Sequence, residues 1–422
     1  MTRITIHTMG TRGDVQPYIA LGMGLRAAGF DVNIATAAQF GGFVTSHGLA
    51  FEPLPGGIIE LINTPAGKEA MSGGNKIGAM FKLLRQARPM FRHLMDAQWA
   101  AAQGADYIVY HPKAIAGASI AEKLCIPASV ALPLPALSPT QAFPSPMLPF
   151  GNLGPFNRLS HQFICRYGDL ASRGAVSRWR KERLGLSAKT HWLSVNGRPV
   201  PRLYPYSASV VARPPDWDSN SIITGYWFLN DGDGWQPPEA LQAFLDAGPP
   251  PVYVGFGSLP TEDAERMTGL VLDALAKAGQ RGVLATGWGG MAAREVPSTI
   301  HVLEAAPHDW LFPRMAAVVH HGGAGTTAAG LRAGRPSVIC PFFGDQPFWG
   351  HRIEALGAGP TPIPQRQLTA ERLADAIRRA VNDPAIGRGA ANTGRLIASE
   401  DGVGKAVAFI RSHLQASSTR SS

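Results

Sequence analysis

The chain has 422 residues, 45% hydrophobic and 16% charged, with a net charge of +9; that length supports two domains with full cores, and the composition is globular. Its three cysteines, Cys125, Cys165 and Cys340, are far apart, which argues against a disulfide framework and a cysteine-based zinc site and suits a reducing, cytoplasmic compartment. No uncharged apolar run reaches the length of a membrane span, and the opening "MTRITIHTMG" reads as a strand rather than a signal peptide.

In chain order, "ITIHTMG" is a buried strand, followed by the loop "GTRGDVQP" and a helix predicted from about Pro17 to Ala28. Asp14 in that loop has two readings. It is a good helix N-cap before a proline-started helix, and it is a general base at a strand end, able to take a proton from a hydroxyl. The loop lacks the third glycine of a dinucleotide-binding fingerprint, and its Arg12-Gly13-Asp14 tripeptide is not a cell-attachment motif in this setting. "FDVNIAT", "AFEPL", "YIVYHP" and "PASVALP" are further strands, with helices at "AQFGGFVTSHG" and "AIAGASIAEKL". Alternation at this spacing predicts a parallel, doubly wound sheet over residues 1–215.

Residues 216–240, rich in Pro, Gly, Asp and Trp, read as a linker, and their Asp231-Gly232-Asp233 as a flexible turn rather than a metal motif. A second α/β domain follows over 241–385: strand "PVYVGFGS", a helix from about Glu262 to Ala278, strands "GVLATG" and "IHVLE", a short helix near His308, strand "AAVVHH", helix "GTTAAGLRAG" and strand "PSVICPF". Residues 386–422 are expected to form helices that pack back on the first domain, then a disordered polar tail, "QASSTRSS". The fold class is therefore α/β, two doubly wound Rossmann-like domains facing a central cleft lined by the carboxyl ends of both sheets, where ligands bind.

The chemistry concentrates in the second domain. In "VVHHGGAGTT" a strand ends at His320 and His321, glycines let backbone approach a ligand, and Thr326 and Thr327 open a helix whose free N–H groups and dipole favour a phosphate. Adjacent strand residues point to opposite faces, so the two histidines are poorly placed to chelate one metal; His321 is the one expected to face the ligand. In "PFFGDQPFWG", Asp345 beside Gln346 suits hydrogen bonding to vicinal sugar hydroxyls, and equally a helix cap amid aromatic packing. Ser258 closes "GFGS" as a second phosphate contact, and Trp288 lies at a strand end where a base can stack or a core can form.

The charge is uneven: residues 1–215 carry 22 Lys and Arg against 10 Asp and Glu, and residues 158–202 hold ten basic side chains against Asp169 and Glu182. A solvated helix face and contact with an anionic membrane surface both fit this cluster; no nucleic-acid recognition motif accompanies it.

Together "GTRGDVQPYIALGMGLRAAGFDVNIAT", "IITGYWFL", "PPVYVGFGS", "HHGGAGTTAAGLRAGRPSVICPFFGDQPFWG" and "RIEALGAGP" resemble the family-1/family-28 type glycosyltransferases of the two-Rossmann-domain (GT-B) fold, and within them the sterol 3-beta-glucosyltransferases and their bacterial relatives. The resemblance implies inverting, metal-independent transfer of a sugar, glucose first, from a UDP-sugar to a hydroxyl of a hydrophobic acceptor, a sterol first, with polyketide, macrolide, carotenoid and phenolic acceptors as alternatives. A UDP-sugar 2-epimerase and a non-catalytic nucleotide-sugar-binding module are the more remote readings. It implies Asp14 as the base, Ser258, His321, Gly323, Gly325, Thr326 and Thr327 at the diphosphate, Asp345 and Gln346 at the donor sugar, and Trp288, Ala306 and His308 at the nucleoside, with no cofactor. The acceptor is expected in residues 56–103, with their apolar, Met-rich "IGAMFKLLRQARPMFRHLM", and 134–163; the basic cluster adds peripheral contact with the inner membrane surface.

Overall fold

The structure, a computed structural model, describes residues 1–56, 76–148, 151–188, 192–257, 261–285 and 296–418. In the N-terminal half the order is β1 (Arg3–His7), α1 (Arg12–Ala27), β2 (Asp31–Ala37), α2 (Gly41–Ser46), β3 (Ala50–Leu54), α3 (Lys76–Ala101), β4 (Tyr107–Tyr110), α4 (Gly117–Leu124), β5 (Ala128–Ala131), α5 (Asn157–Trp179), a small hairpin of β6 (Ser194–Val195) and β7 (Arg198–Pro199), then β8 (Arg202–Tyr204) and β9 (Ser221–Ile223). These build a seven-stranded parallel sheet in the order β3-β2-β1-β4-β5-β8-β9. The second half runs α6 (Glu239–Asp246), β10 (Val252–Gly255), α7 (Thr261–Ala278), β11 (Gly282–Ala285), β12 (Ile300–Leu303), α8 (His308–Leu311), β13 (Ala317–His320), α9 (Ala324–Arg332), β14 (Ser337–Ile339), α10 (Gln346–Ala355), α11 (Ala370–Asn382), α12 (Pro384–Ala398) and α13 (Gly402–Ser418). Its sheet, β12-β11-β10-β13-β14, is also parallel. Strands β4, β5, β10 and β13 are buried at every position, as sheets covered by helices on both faces require.

Three expectations are corrected. Helix α1 begins at Arg12, five residues before Pro17, which lies inside it. The start is set by Thr11 and Asp14, which occupy the first and last places of a Thr-x-x-Asp capping box. The predicted linker contributes β9 to the first sheet, where the β-branched Ile222 and Ile223 pair with Leu203 and Tyr204. The predicted disordered tail is helical through Ser418.

The last helix returns to the first domain. In α13, His413 Nδ1 lies 2.9 Å from the buried Tyr107 hydroxyl, and Arg411 donates to the Ala28 carbonyl at 3.0 Å. The turn into α13 is tight: a Cβ at Gly402 would lie 2.2 Å from the Tyr226 carbonyl oxygen and 2.6 Å from the Gly225 carbonyl. Gly402→Ala is therefore expected to destabilise the fold by about 1–3 kcal/mol, because backbone rather than a pliable side chain must yield. A fall in the thermal midpoint of roughly 2–4 °C per kcal/mol is the readout. One apolar core crosses between the domains, joining Tyr206 and Val210 to Leu331, Trp349 and Ile353, and Arg352 donates to the Val210 carbonyl at 2.6 and 2.9 Å. Among the described residues, no helix is long and apolar enough to cross a membrane.

Candidate active site

The carboxyl ends of both sheets meet at a cleft holding a cavity of about 580 Å³. Arg12 and Gly13 line it from the first domain, Asn230 and Asp231 from the connection, and Gly257, His321, Gly325 and Thr326 from the second domain. The N-termini of α1 and α9 face each other here; a Cβ on Gly325 would meet Gly13 Cα at 3.9 Å. Two helix ends with unpaired N–H groups make this the electropositive part of the cleft.

The paired histidines divide as strand alternation requires. His320 is fully buried, and its Nδ1 accepts the Gly322 N–H at 3.0 Å. Burial pushes its pKa well below the ordinary value, so the ring is neutral. His321 follows the strand and lines the cavity, its ring 6.2 Å from that of His320 and nearly perpendicular to it. Burial lowers its pKa too, offset in part by the Gly255 carbonyl, and its Nδ1 has no hydrogen-bond partner in the chain. A neutral imidazole that lines the cavity beside a helix N-terminus can donate one N–H to an anionic ligand.

Gly323 does not line the cavity. It caps α9 and makes room for the histidine, since a Cβ there would lie 2.5 Å from His321 Nε2. Gly323→Ala should rotate the ring away from the cleft and weaken nucleotide-diphosphate affinity about tenfold, the cost of roughly one hydrogen bond to a charged group; calorimetric titration with UDP checks this. Thr326 lines the cavity, whereas Thr327 is turned away: it is fully buried and its N–H bonds to the Gly323 carbonyl at 2.9 Å. Thr327, in the first turn of α9, does not line this cavity, and its buried Oγ1 has no hydrogen-bond partner among the described residues. Ala306 and His308 line the cavity, with the His308 ring stacked on Phe312 at 4.2 Å and burial lowering its pKa to about 4. Ser258 and Trp288 lie outside the described residues.

Asp14 stands at the third helical position of α1 rather than at its N-cap. Its Oδ2 accepts from the Thr11 N–H at 2.8 Å, the Thr11 hydroxyl at 3.2 Å and Lys113 Nζ at 2.9 Å. Oδ1 faces only His111 Nε2, at 3.4 Å. Asp14 requires the glycine at position 10, where a Cβ would come 2.0 Å from Oδ2 and φ is +138°. Burial raises its pKa, but the adjacent His111 ring, the Lys113 charge and the Lys113 and Thr11 hydrogen bonds outweigh it, so the net direction is down and Asp14 is a carboxylate. His111 is buried, with a pKa lowered to about 4, and its Nδ1 accepts the Lys113 backbone N–H at 3.0 Å. The neutral ring therefore carries its proton on Nε2, which lies 3.4 Å from Oδ1 but makes no hydrogen bond among the described residues.

Across the cleft, Asp345 sits at the N-cap of α10 yet makes no cap bond; its Oδ2 accepts Trp349 Nε1 at 2.9 Å. Burial raises its pKa, and the negative charge of Asp14 raises it further. Gln346 is buried, its Oε1 holding the Phe342 and Phe343 N–H groups at 2.7 and 3.2 Å. Of the three side-chain oxygens and one amide nitrogen of this pair, this leaves Asp345 Oδ1 and Gln346 Nε2 for a sugar. His111 and Lys113 were missed by sequence reasoning; the available signal was their place just after β4, the strand that pairs with β1. Asp231, read as part of a flexible turn, instead ties the domains: it accepts from Arg12 Nη2 and faces His47 Nε2, both at 3.0 Å, while the neighbouring Gly232 N–H donates to Asp309 at 2.9 Å. These partners lie far away in sequence, which is why local composition suggested a free turn. In the Met-rich segment, Leu94 and Met95 of α3 are core residues, while residues 57–75 lie outside the described ones. Among the described residues, no three His, Cys, Asp or Glu side chains converge as a metal-ligand set.

Residues 4–140 match the family model for the glycosyltransferase family 28 N-terminal domain, and residues 270–401 that for the C-terminal domain of erythromycin biosynthesis protein CIII-like proteins. The chain is 37% identical over 424 residues to the sterol 3-beta-glucosyltransferase UGT80B1 of Arabidopsis thaliana, covering 98% of this chain and 68% of that protein. It is 40% identical over 435 residues to a sterol 3-beta-glucosyltransferase of Aspergillus fumigatus, of whose length it spans 30%. Among solved structures, the glycotransferase of kitacinnamycin superposes with a TM-score of 0.72 at 19% identity, covering 98% of this chain and 99% of that one. That superposition matches the two-domain GT-B architecture described above.

Proposed function

This chain belongs to the sterol 3-beta-glucosyltransferase family, and we propose that it transfers glucose from UDP-glucose to the hydroxyl of a sterol, with inversion at the anomeric carbon. The observation that carries the proposal is the meeting of two helix starts: Arg12 and Gly13, which directly precede Asp14 in α1, line one cavity with His321, Gly325 and Thr326 of the α9 start, and a Cβ on Gly325 would lie 3.9 Å from Gly13 Cα. The bond between the sugar C1 and the diphosphate oxygen breaks as the acceptor oxygen attacks C1 from the opposite face. Charge grows on the departing diphosphate, where the α9 N–H groups and the His321 N–H receive it, so no metal is required. The hydroxyl proton passes to Asp14 Oδ1, the oxygen left free by Thr11 and Lys113. His111, being neutral, does not compete as an acid. Asp345 and Gln346 Nε2 hold sugar hydroxyls. The enzyme works in the cytoplasm.

The pH profile carries the sign of this assignment. The base is the ionised form of Asp14, whose pKa is lowered below its ordinary 3.8, and the neighbouring histidines are neutral. The acid limb of kcat/KM is therefore expected below about pH 4. A limb near pH 6.5 would assign the base to a histidine.

The direct test is incubation with UDP-glucose and a panel of sterols, polyketides and phenolics, read by mass spectrometry for addition of one hexose, with and without EDTA. A hexosylated sterol formed equally in EDTA supports the proposal. Hexose addition to another class alone reassigns the acceptor, and conversion of the UDP-sugar to its 2-epimer without any adduct points to the epimerase reading.

A further inference from the structure

The surface of α5 is not that of a helix facing water. Phe156, just before it, and Leu159, Phe163, Tyr167 and Leu170 recur at intervals of three and four residues, and each is between 54% and 70% exposed. This spacing puts all five on one stripe. The Phe163 and Tyr167 rings lie nearly parallel, 6.4 Å apart, on the outside of the protein. The opposite face is buried through Ser160, His161, Val176 and Trp179, so the stripe is not a misassigned core face. Contiguous apolar exposure of this kind marks an interaction surface.

The ionic side chains around the stripe select the partner. Arg166 and Arg173 are exposed and lie three or four residues from stripe positions, Arg173 paired with the buried Asp169, the only acidic residue of the helix; Arg158, also exposed, lies off the stripe toward Asp216. Aromatic and aliphatic side chains on one face with cations along its border form the pattern of a helix lying in a lipid interface.

The helix also lies beside the cleft. His161 on its inner face packs against Phe143 at 5.8 Å between ring centroids, and Phe143 packs at 5.8 Å against Phe348 of α10. Next to Phe348 is Trp349, whose Nε1 donates to Asp345.

We propose that α5 seats the protein on an anionic lipid bilayer, its stripe of Phe156, Leu159, Phe163, Tyr167 and Leu170 immersed among the acyl chains and its arginines at the headgroups. This deepens the proposed function by naming where a sterol is met, and it rests on that reading only for the acceptor's route.

The test is co-sedimentation of the full chain with vesicles of phosphatidylcholine alone or with added phosphatidylglycerol, in the absence of donor and acceptor. The wild type is expected to bind the anionic vesicles and to release at high salt. Phe163→Glu combined with Leu170→Glu is expected to reduce binding at least tenfold, with UDP affinity unchanged as the control for folding. Arg166→Gln is expected to cost about fivefold, the equivalent of about 1 kcal/mol. In a transfer assay, the glutamate variant should lose rate on vesicle-embedded sterol while retaining it on sterol supplied in cyclodextrin. Wild type remaining in the supernatant, or a glutamate variant that binds as well, overturns the proposal. A wild-type dimer that the glutamate variant converts to monomer, without vesicle binding, assigns the stripe to a second copy instead. Docking with no transfer in either assay would refute the sterol reading and leave the docking surface standing.

Discussion

Asp14→Asn is expected to lower kcat for sugar transfer by about 10²–10⁴-fold, the usual contribution of a positioned general base, while UDP affinity stays within about twofold. Asparagine has the shape of aspartate and can still accept the Thr11 N–H through one oxygen, so the start of α1 survives. What it lacks is the basic Oδ1 that receives the acceptor proton. A purely structural Asp14, serving as the capping-box acid and as the partner of Lys113, would show the reverse pattern, with a lower thermal midpoint and turnover close to normal. Measuring kcat, UDP affinity and the unfolding midpoint on one preparation separates these cases. The paired variant Lys113→Met refines the picture. Removing the ammonium 2.9 Å from Oδ2 lets the Asp14 pKa rise, and the acid limb of kcat/KM should move upward with it.

His321→Ala is the second large effect. The ring borders the cavity beside the α9 N-terminus, and its expected partner carries more charge in the transition state than in the bound donor. UDP affinity is expected to fall about 10–100-fold, the scale of one hydrogen bond to a charged group. The loss in kcat should be larger, about 10²–10³-fold, as for removal of one donor from a site that stabilises developing negative charge. His320→Gln, one residue earlier, is expected to leave UDP affinity nearly unchanged and to act on stability, because His320 is fully buried and its Nδ1 is spent on Gly322. Equal effects of the two substitutions on UDP binding, read by calorimetry, would contradict the division of roles between the histidines.

Much of the fold was legible because buried parallel strands announce themselves. "ITIH", "YIVY", "VYVG" and "AVVH" are short, apolar and β-branched, and each is followed by glycine, proline or a polar turn. The same regularity places the cleft, since every strand of a doubly wound sheet delivers its carboxyl end to one edge. The misread elements were those decided by partners distant in sequence. Strand β9 hides in a segment whose Trp, Gly and Asp content suggests a linker, and only pairing with β8 makes it a strand. Pro17 looked like a helix start because proline favours first turns, whereas the Thr11 and Asp14 pair set the start earlier.

The site was legible to a similar depth. Alternation along β13 separated His320 from His321 without any coordinates. The same logic could not show that Gly323 serves the His321 ring, that Thr327 turns inward, or that the Gln346 carbonyl is consumed by its own loop. Those are packing facts, set by which atoms come within a few ångströms after folding. His111 and Lys113 belong to the same class, because they reach Asp14 only through the pairing of β1 with β4.

The central claim is a single displacement at the sugar C1, with Asp14 on the acceptor side and the diphosphate cradle on the other. It is tested most directly by the anomeric configuration of the product that the wild type makes from UDP-glucose and a sterol, read by proton NMR. The account predicts a β-glucoside from the α-linked donor, with the large axial–axial coupling of the anomeric proton. An α-glucoside, with its small coupling, would mean retention and would contradict a mechanism in which Asp14 acts as base in one inverting step.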